Sequence, residues 1–346
     1  MQSELKRLPG LTPPLTDEFY LALGKVTAHF AVLEGQVEFL TWSLIRPGPT
    51  AGTDCAASRD GVAHGWRAQT ALACAAMRAL TTDPVSPAET VFLVGAGGQQ
   101  DSWKPVFAAI NDGHPDVTIQ DADSANFYFA MQVYLHRYAC QVRDKKRAGR
   151  SNIEAPLEHM EEMVSELTES SRRLKKRIAE RLIEAVSVDA IPLHMSLLKE
   201  LQNPRWGKMY VVTTNWDRTI ERYIKTSEVV HLHGDTDESH LLFLPTEMIE
   251  EPYRDDADSH YVRANVAFAW QAIATANNLC VYGLSLSALD AALGQVVSVG
   301  FSDHREGNPL HVHIFNCADQ IPSVENRMRM LSQPALRLNF NRVPVC

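Results

Sequence analysis

Two short apolar runs that stop abruptly in polar residues constrain this chain more than any other feature. Val211 and Val212 lead into Thr213-Thr214-Asn215-Trp216-Asp217, and Val229 and Val230 lead into His231-Leu232-His233-Gly234-Asp235. The same pattern recurs at VFLVGAG (91–97), at 278–283 and at 310–315, with helical or mixed segments between the runs. Strands spaced in this way by helices are the signature of a doubly wound, mostly parallel sheet. PDVTIQDAD (115–123) reads as a further strand, second in chain order. Parallel strands end on one rim, and ligands of open α/β sheets bind along that rim. The polar ends would therefore gather an amide, a carboxylate and an imidazole in one place.

Around that sheet the periodicity is helical. Phe19, Leu23, Val26, Phe30, Leu33, Val37 and Leu40 fall at helix spacing within 16–46, and a second apolar helix fits 61–81. Together they predict an N-terminal helical hairpin over 1–85, ahead of a main domain over 86–346. Residues 123–202 read as almost wholly helical, long for one crossover, and are expected to form a helical subdomain inserted over the site. The basic run Ser171 to Arg181 sits among Glu161, Glu162, Glu166 and Glu169 and reads as a solvated helix face.

Composition narrows the function. The 346 residues are 45% hydrophobic, enough for a sizeable core, and the net charge of −9 disfavours direct binding to a nucleic-acid backbone. The six cysteines, at 55, 74, 140, 280, 317 and 346, are widely spaced with no C-x-x-C pair. That argues against a zinc ribbon and a disulfide scaffold and fits a reducing cytoplasm. No stretch approaches the roughly 18 apolar residues of a membrane span, and the first residues carry no apolar leader core. A cytoplasmic protein without membrane contact is expected.

Several residues carry chemistry on their own account. Gly95-Ala96-Gly97-Gly98 after a strand lets backbone approach a pyrophosphate at a helix N-terminus, and such a turn can call for φ > 0 at Gly97. Gln100 stands where a third glycine would complete G-x-G-x-x-G. Asp121 is placed to bind a ribose or, more simply, to cap a helix. His231 and His233 lie two apart on a strand and so share a face, which leaves either as the base. His311 and His313 repeat that spacing, but no carboxylate or cysteine completes a metal set, and no metal is expected. Ser285 and Ser287 are not in a nucleophile elbow.

Taken in order, GAG (95–97), TTNWD (213–217), HLHG (231–234) and VYGLSLSALD (281–290) resemble the sirtuin family. Its own series is a GAG turn, a Q-N-x-D motif, an HG motif and a G-x-S loop. The resemblance covers about 90–317 and looks nearest to the NAD-consuming, sirtuin-like effectors of bacterial anti-phage defence. It implies a Rossmann-like domain with NAD as substrate. Gly95, Ala96 and Gly97 would hold the pyrophosphate. Asn215 and Asp217 would face the nicotinamide and its ribose, and His233, before Gly234, would be the catalytic histidine. Gly283 and Ser285 would contact the adenosine side, with Asn316 near the adenosine. Thr214 replaces the family's Gln and takes that place in the cofactor site.

The departures bear on substrate. Residues 235–278 contain no cysteine, whereas deacetylating sirtuins carry two C-x-x-C pairs after the HG motif. QQDSWKP replaces the usual cofactor loop. With acyl-lysine binding unsupported, water remains as acceptor, and the expectation is an NAD glycohydrolase yielding nicotinamide and ADP-ribose. A protein deacylase or ADP-ribosyltransferase is the alternative, and a catalytically silent NAD or ADP-ribose sensor or scaffold a third. An enzyme that drains NAD needs an off state. That points to a homo-oligomer or a defence partner subunit: an ATPase or translocase, an Argonaute-like protein or a signal sensor.

Overall fold

The computed structural model describes residues 89–113, 118–150, 155–224, 228–247, 251–254, 256–286, 291–304, 309–333 and 335–345. All belong to one compact unit, Gly48–Cys346. The expected hairpin helices at 16–46 and 61–81 lie outside the described residues.

Six parallel strands form one sheet: β1 (Thr90–Val94), β2 (Met209–Thr213), β3 (Glu228–His231), β4 (Asn278–Tyr282), β5 (Leu310–Asn316) and β6 (Leu338–Pro344). Their spatial order is β3-β2-β1-β4-β5-β6. Chain order reverses between β1 and β4, the switch point of a doubly wound, Rossmann-like sheet. The helices are α1 (Lys104–Gly113), α2 (Ala122–Arg147), α3 (Leu157–Ser187), α4 (Met195–Leu201), α5 (Thr219–Tyr223), α6 (Asp256–Thr275), α7 (Ala291–Ser302) and α8 (Ile321–Leu331).

Side-chain alternation explains why the central strands are apolar throughout. Val91, Leu93, Val212, Leu279, Val281, Val312 and Ile314 face a core shared with α6, α7 and α8. Phe92, Val94, Val211, Cys280, Tyr282 and Phe315 face the opposite layer, with Leu197, Leu201, Trp206 and Ile220. A third core joins α1, α2 and α3 through Val106, Ile110, Phe129, Ile178 and Leu182, and it takes in Trp216, Leu242 and Leu244 from the loops after β2 and β3. The 123–202 block is thus largely helical, and it packs on the segments that leave the sheet rim.

Two strand assignments change. Residues 118–120 form no strand, and Asp121 caps α2, accepting from Ser124 N at 2.8 Å and Ser124 Oγ at 2.7 Å. The backbone N–H and C=O of Ile119 both bond to the Asn111 carboxamide, so a side chain supplies what a neighbouring strand would have. The sixth strand is β6 instead, an edge strand whose Leu338 and Phe340 pack against the core under α8. Its alternate residues Asn339 and Asn341 are polar, as is Arg342, so β6 is not an apolar run.

Cys140 and Cys280 are buried free thiols, and Cys317 is disulfide-bonded. Among the described residues no helix is long and apolar enough to cross a membrane.

Candidate functional site at the carboxyl rim of the sheet

Parallel register brings the strand ends level: Val94 lies opposite Thr213 and Tyr282, Thr213 opposite His231, and Tyr282 opposite Phe315. The Gly95–Gly97 turn, Asn215, Asp217, His231, Gly283 and Asn316 therefore leave the sheet along one rim. His233 follows two residues past β3.

The glycines meet one another there. A Cβ on Gly97 would stand 2.8 Å from Gly283 O, and one on Gly283 would stand 2.2 Å from the Gly97 carbonyl carbon. Gly283 and Gly234 have positive φ, at +55° and +73°, while Gly97 does not, so the left-handed turn falls after β4 and β3 rather than after β1. Gly95 N–H donates to Tyr282 O, Gly97 N–H to Gly283 O and Gly98 N–H to Gly95 O. The turn is glycine-rich because two backbone loops touch, and these three N–H groups already have acceptors within the protein.

A buried polar network lies beside it. Asn215 Nδ2 donates to Gln99 Oε1 at 2.8 Å and reaches Gly95 O at 3.4 Å. Gln99 Nε2 donates to Asp217 Oδ1 at 2.7 Å, and the same oxygen accepts from Thr219 N at 2.9 Å. Gln99, Asn215 and Asp217 are all nearly sealed from solvent. Asn215 N–H donates to Thr213 Oγ1, which in turn donates to Val94 O, tying the motif to the end of β1. Between the two polar residues, Trp216 turns into the helical core. Its ring stands edge-on to Phe129 and its Nε1–H donates to Phe243 O at 3.1 Å. Thr214 is half-buried, and its N–H donates to Val94 O.

The two histidines part company because β3 ends at His231, so the shared-face argument for 231 and 233 no longer applies. His231 is buried, its Nδ1 at 2.7 Å from Asn215 O and its Nε2 at 3.0 Å from Glu221 Oε1. Burial pushes its pKa down, but the Glu221 carboxylate and the Asn215 carbonyl outweigh this and hold it above the usual histidine value. Burial likewise opposes ionisation of Glu221, and the bond from His231 overrides it, holding that carboxyl below its usual range. With both ring nitrogens engaged, His231 supports the loop carrying Asn215. His233 is half-buried, and its carbonyl accepts from Phe243 N at 2.8 Å.

On the far side, Asn316 Nδ2 donates to Leu284 O at 3.2 Å and its Oδ1 accepts from Cys317 N at 2.9 Å. Its amide joins the β4 loop to the end of β5. Ser285 is exposed, and its carbonyl accepts from Arg327. Among the described residues no group of three or more His, Cys, Asp or Glu side chains is placed to hold a metal ion.

Behind the rim a buried charge cluster fixes the 241–254 segment to the helices. Glu247 accepts from Lys175 Nζ at 2.9 Å, Arg254 Nη2 at 2.8 Å, Tyr253 Oη at 3.2 Å and Leu244 N at 2.7 Å. Arg254 also stacks over Phe243, the residue that holds the His233 carbonyl.

No protein-family model, no curated protein and no solved structure matches the chain. The resemblance to sirtuins rests on the four motifs themselves. Gln99, the residue that links Asn215 to Asp217, was not singled out by the sequence. The only sequence signal for it is an amide directly after the glycine turn, next to Gln100 at the third-glycine position.

Proposed function

We propose that this chain is an NAD glycohydrolase that splits NAD into nicotinamide and ADP-ribose, acting as a regulated effector in bacterial anti-phage defence. The observation that carries the reading is the Asn215–Gln99–Asp217 network on the carboxyl rim, beside the switch point between β1 and β4, with His233 two residues past the end of β3 on that rim. Rupture of the nicotinamide–ribose bond develops positive charge on the sugar, so it calls for positioned acceptors and a carboxylate more than for strong acid. Asp217 supplies the negative charge, Asn215 orients water or a ribose hydroxyl, and His233 accepts the proton. Since Gly95, Gly97 and Gly98 already donate to carbonyls, the turn contributes close backbone approach rather than a ready-made ring of phosphate donors. Gly283, Ser285, Ala96 and Thr214 are then contacts along the cofactor, while Asn316 shapes the adenosine end through the loop it holds.

The helices over 123–202 and the segment 1–85 are the regions through which a homo-oligomer or a defence partner would impose the off state. The test is incubation of the full chain with NAD, alone and with an ATPase, an Argonaute-like protein or a nucleotide signal as candidate activator, with nicotinamide and ADP-ribose measured. Release of both products supports the reading. Nicotinamide release that needs an acylated or acceptor protein would favour the deacylase or transferase alternative. Tight NAD binding without turnover in every combination would favour the silent sensor.

A further inference from the structure

We propose that Gln99 is the positioning residue of this site and sets its polarity, so that Asn215 and Asp217 turn only hydrogen-bond acceptors towards the ligand. The inference rests on the NAD reading for the ligand's identity, but its structural half does not.

An ionised Asp217 can only accept, so the Gln99 atom 2.7 Å from its Oδ1 must be the amide nitrogen. Gln99 Oε1 then faces Asn215, and an acceptor there requires Asn215 to present Nδ2, as found at 2.8 Å. The second contact of Nδ2, to Gly95 O, is again to an acceptor. Orientations of amide groups follow from such networks, and here each step leaves one choice. What remains is Asn215 Oδ1 and Asp217 Oδ2. Among the described residues no donor reaches either oxygen, and neither is a buried unpaired atom.

Two free acceptors on residues bridged by Gln99 select a ligand that donates. A phosphate oxygen would meet a carboxylate and a carbonyl oxygen and be repelled. A vicinal diol or a primary carboxamide carries the matching hydrogens. The nicotinamide ribose of NAD offers both groups at one end, so that end faces this network and the pyrophosphate lies away from it. A site that hydrogen-bonds hydroxyls also discriminates strongly against analogues lacking them, because its own polar groups are left unpaired.

Two substitutions separate the halves of the network. Gln99→Met keeps the side chain's length and removes both bonds. Gln99→Glu keeps the acceptor for Asn215 and removes the donor to Asp217, unless the new carboxyl is protonated. The first readout needs no ligand: full-length protein is labelled with 15N-asparagine, and solvent exchange of the Asn215 Nδ2 protons is followed, assigned by their absence in Asn215→Asp. Exchange should quicken about tenfold in Gln99→Met, the scale of one lost hydrogen bond, and stay slow in Gln99→Glu. The second readout is NAD cleavage against pH, with far-UV circular dichroism melts of each variant under the same conditions. Gln99→Met should lose kcat at every pH, whereas Gln99→Glu should regain it as the pH falls and its carboxyl again donates. A merely structural glutamine would not produce that recovery at constant fold.

Unchanged Asn215 exchange in Gln99→Met overturns the proposal whatever NAD does, and so does full activity of that variant. Should Gln99→Met not fold, Gln99→Glu alone decides, with pH-independent activity refuting the idea. Quickened exchange in Gln99→Met, together with a wild-type protein that neither binds nor cleaves NAD, upholds the positioning role and removes the NAD reading instead.

Discussion

Glu247→Gln and Lys175→Met, set side by side, test how the segment behind the site is held. Lys175 and Glu247 are both almost fully buried, and Glu247 also binds Arg254, Tyr253 and the Leu244 N–H. Burial penalises the Glu247 carboxylate, yet Lys175 and Arg254 draw its pKa from 4.5 to about 2, which at about 1.4 kcal/mol per tenfold is about 3 kcal/mol in favour of the folded state at neutral pH. Burial pulls Lys175 the other way, from 10.5 to about 8, so holding that ammonium in the fold costs about 3 kcal/mol despite its partner. The burial cost of the two charges offsets much of their mutual attraction, as expected for an ion pair taken out of water. Removing the anion strands two cations and should destabilise by about 3–5 kcal/mol. Removing the lysine leaves Glu247 with three partners and should change stability by less than about 1 kcal/mol. Thermal melts at pH 7 of the full-length variants measure the contrast. Equal losses in the two variants, or a larger loss for Lys175→Met, would refute that offset. The Glu247 contribution is complete above pH 4.5 and fades as pH falls towards 2, so the gap between wild type and Glu247→Gln should close in acid.

The His231–Glu221 pair gives a second pH signature. The raised pKa of His231 stabilises fully below 6.5 and fades as pH climbs through its folded value, while the lowered pKa of Glu221 stabilises above 4.5 and fades below it. Melts of Glu221→Gln should therefore differ most from wild type between pH 4.5 and 6.5, with the difference shrinking by pH 8.5; a gap that widens with pH would contradict the pairing. Gly283→Ala forces a Cβ onto the Gly97 backbone at positive φ, where the left-handed conformation alone costs about 1–2 kcal/mol, whereas Gly294→Ala in α7 meets nothing within 4 Å and should stabilise by about 0.5–1 kcal/mol. Equal melting temperatures for these two variants would show that the β1 and β4 turns do not press together as described. If the NAD reading holds, Asn215→Ala and His233→Ala should each reduce nicotinamide release by about 10²–10⁴ with the fold intact by circular dichroism, and near-normal turnover in either removes that residue from the site.

Short apolar runs ending in glycine or polar residues sufficed to determine the parallel α/β sheet and the rim on which Asn215, Asp217, Gly283 and Asn316 gather, because strand character is written in consecutive residues and the alternation of strands with helical segments implies parallel pairing. Helical spacing likewise announced α2, α3 and α4. The sequence could not show how differently His231 and His233 are placed, since that depends on where β3 stops and on Glu221 reaching back from α5 to occupy the second nitrogen of His231. Nor could it tell 115–123 from a strand, because the bonds that satisfy Ile119 come from the Asn111 side chain. The glycines at 95, 97 and 283 suggested a ligand, but the structure gave them a nearer reason in the contact of two backbones from strands 188 residues apart in sequence, a separation seen directly in the Asn278 to Thr90 bond. Gln99 joined the site only through tertiary structure. Its amide acquires meaning from a carboxylate and a carboxamide more than a hundred residues away, and hydrogen bonds over such separations leave no periodic trace in the chain.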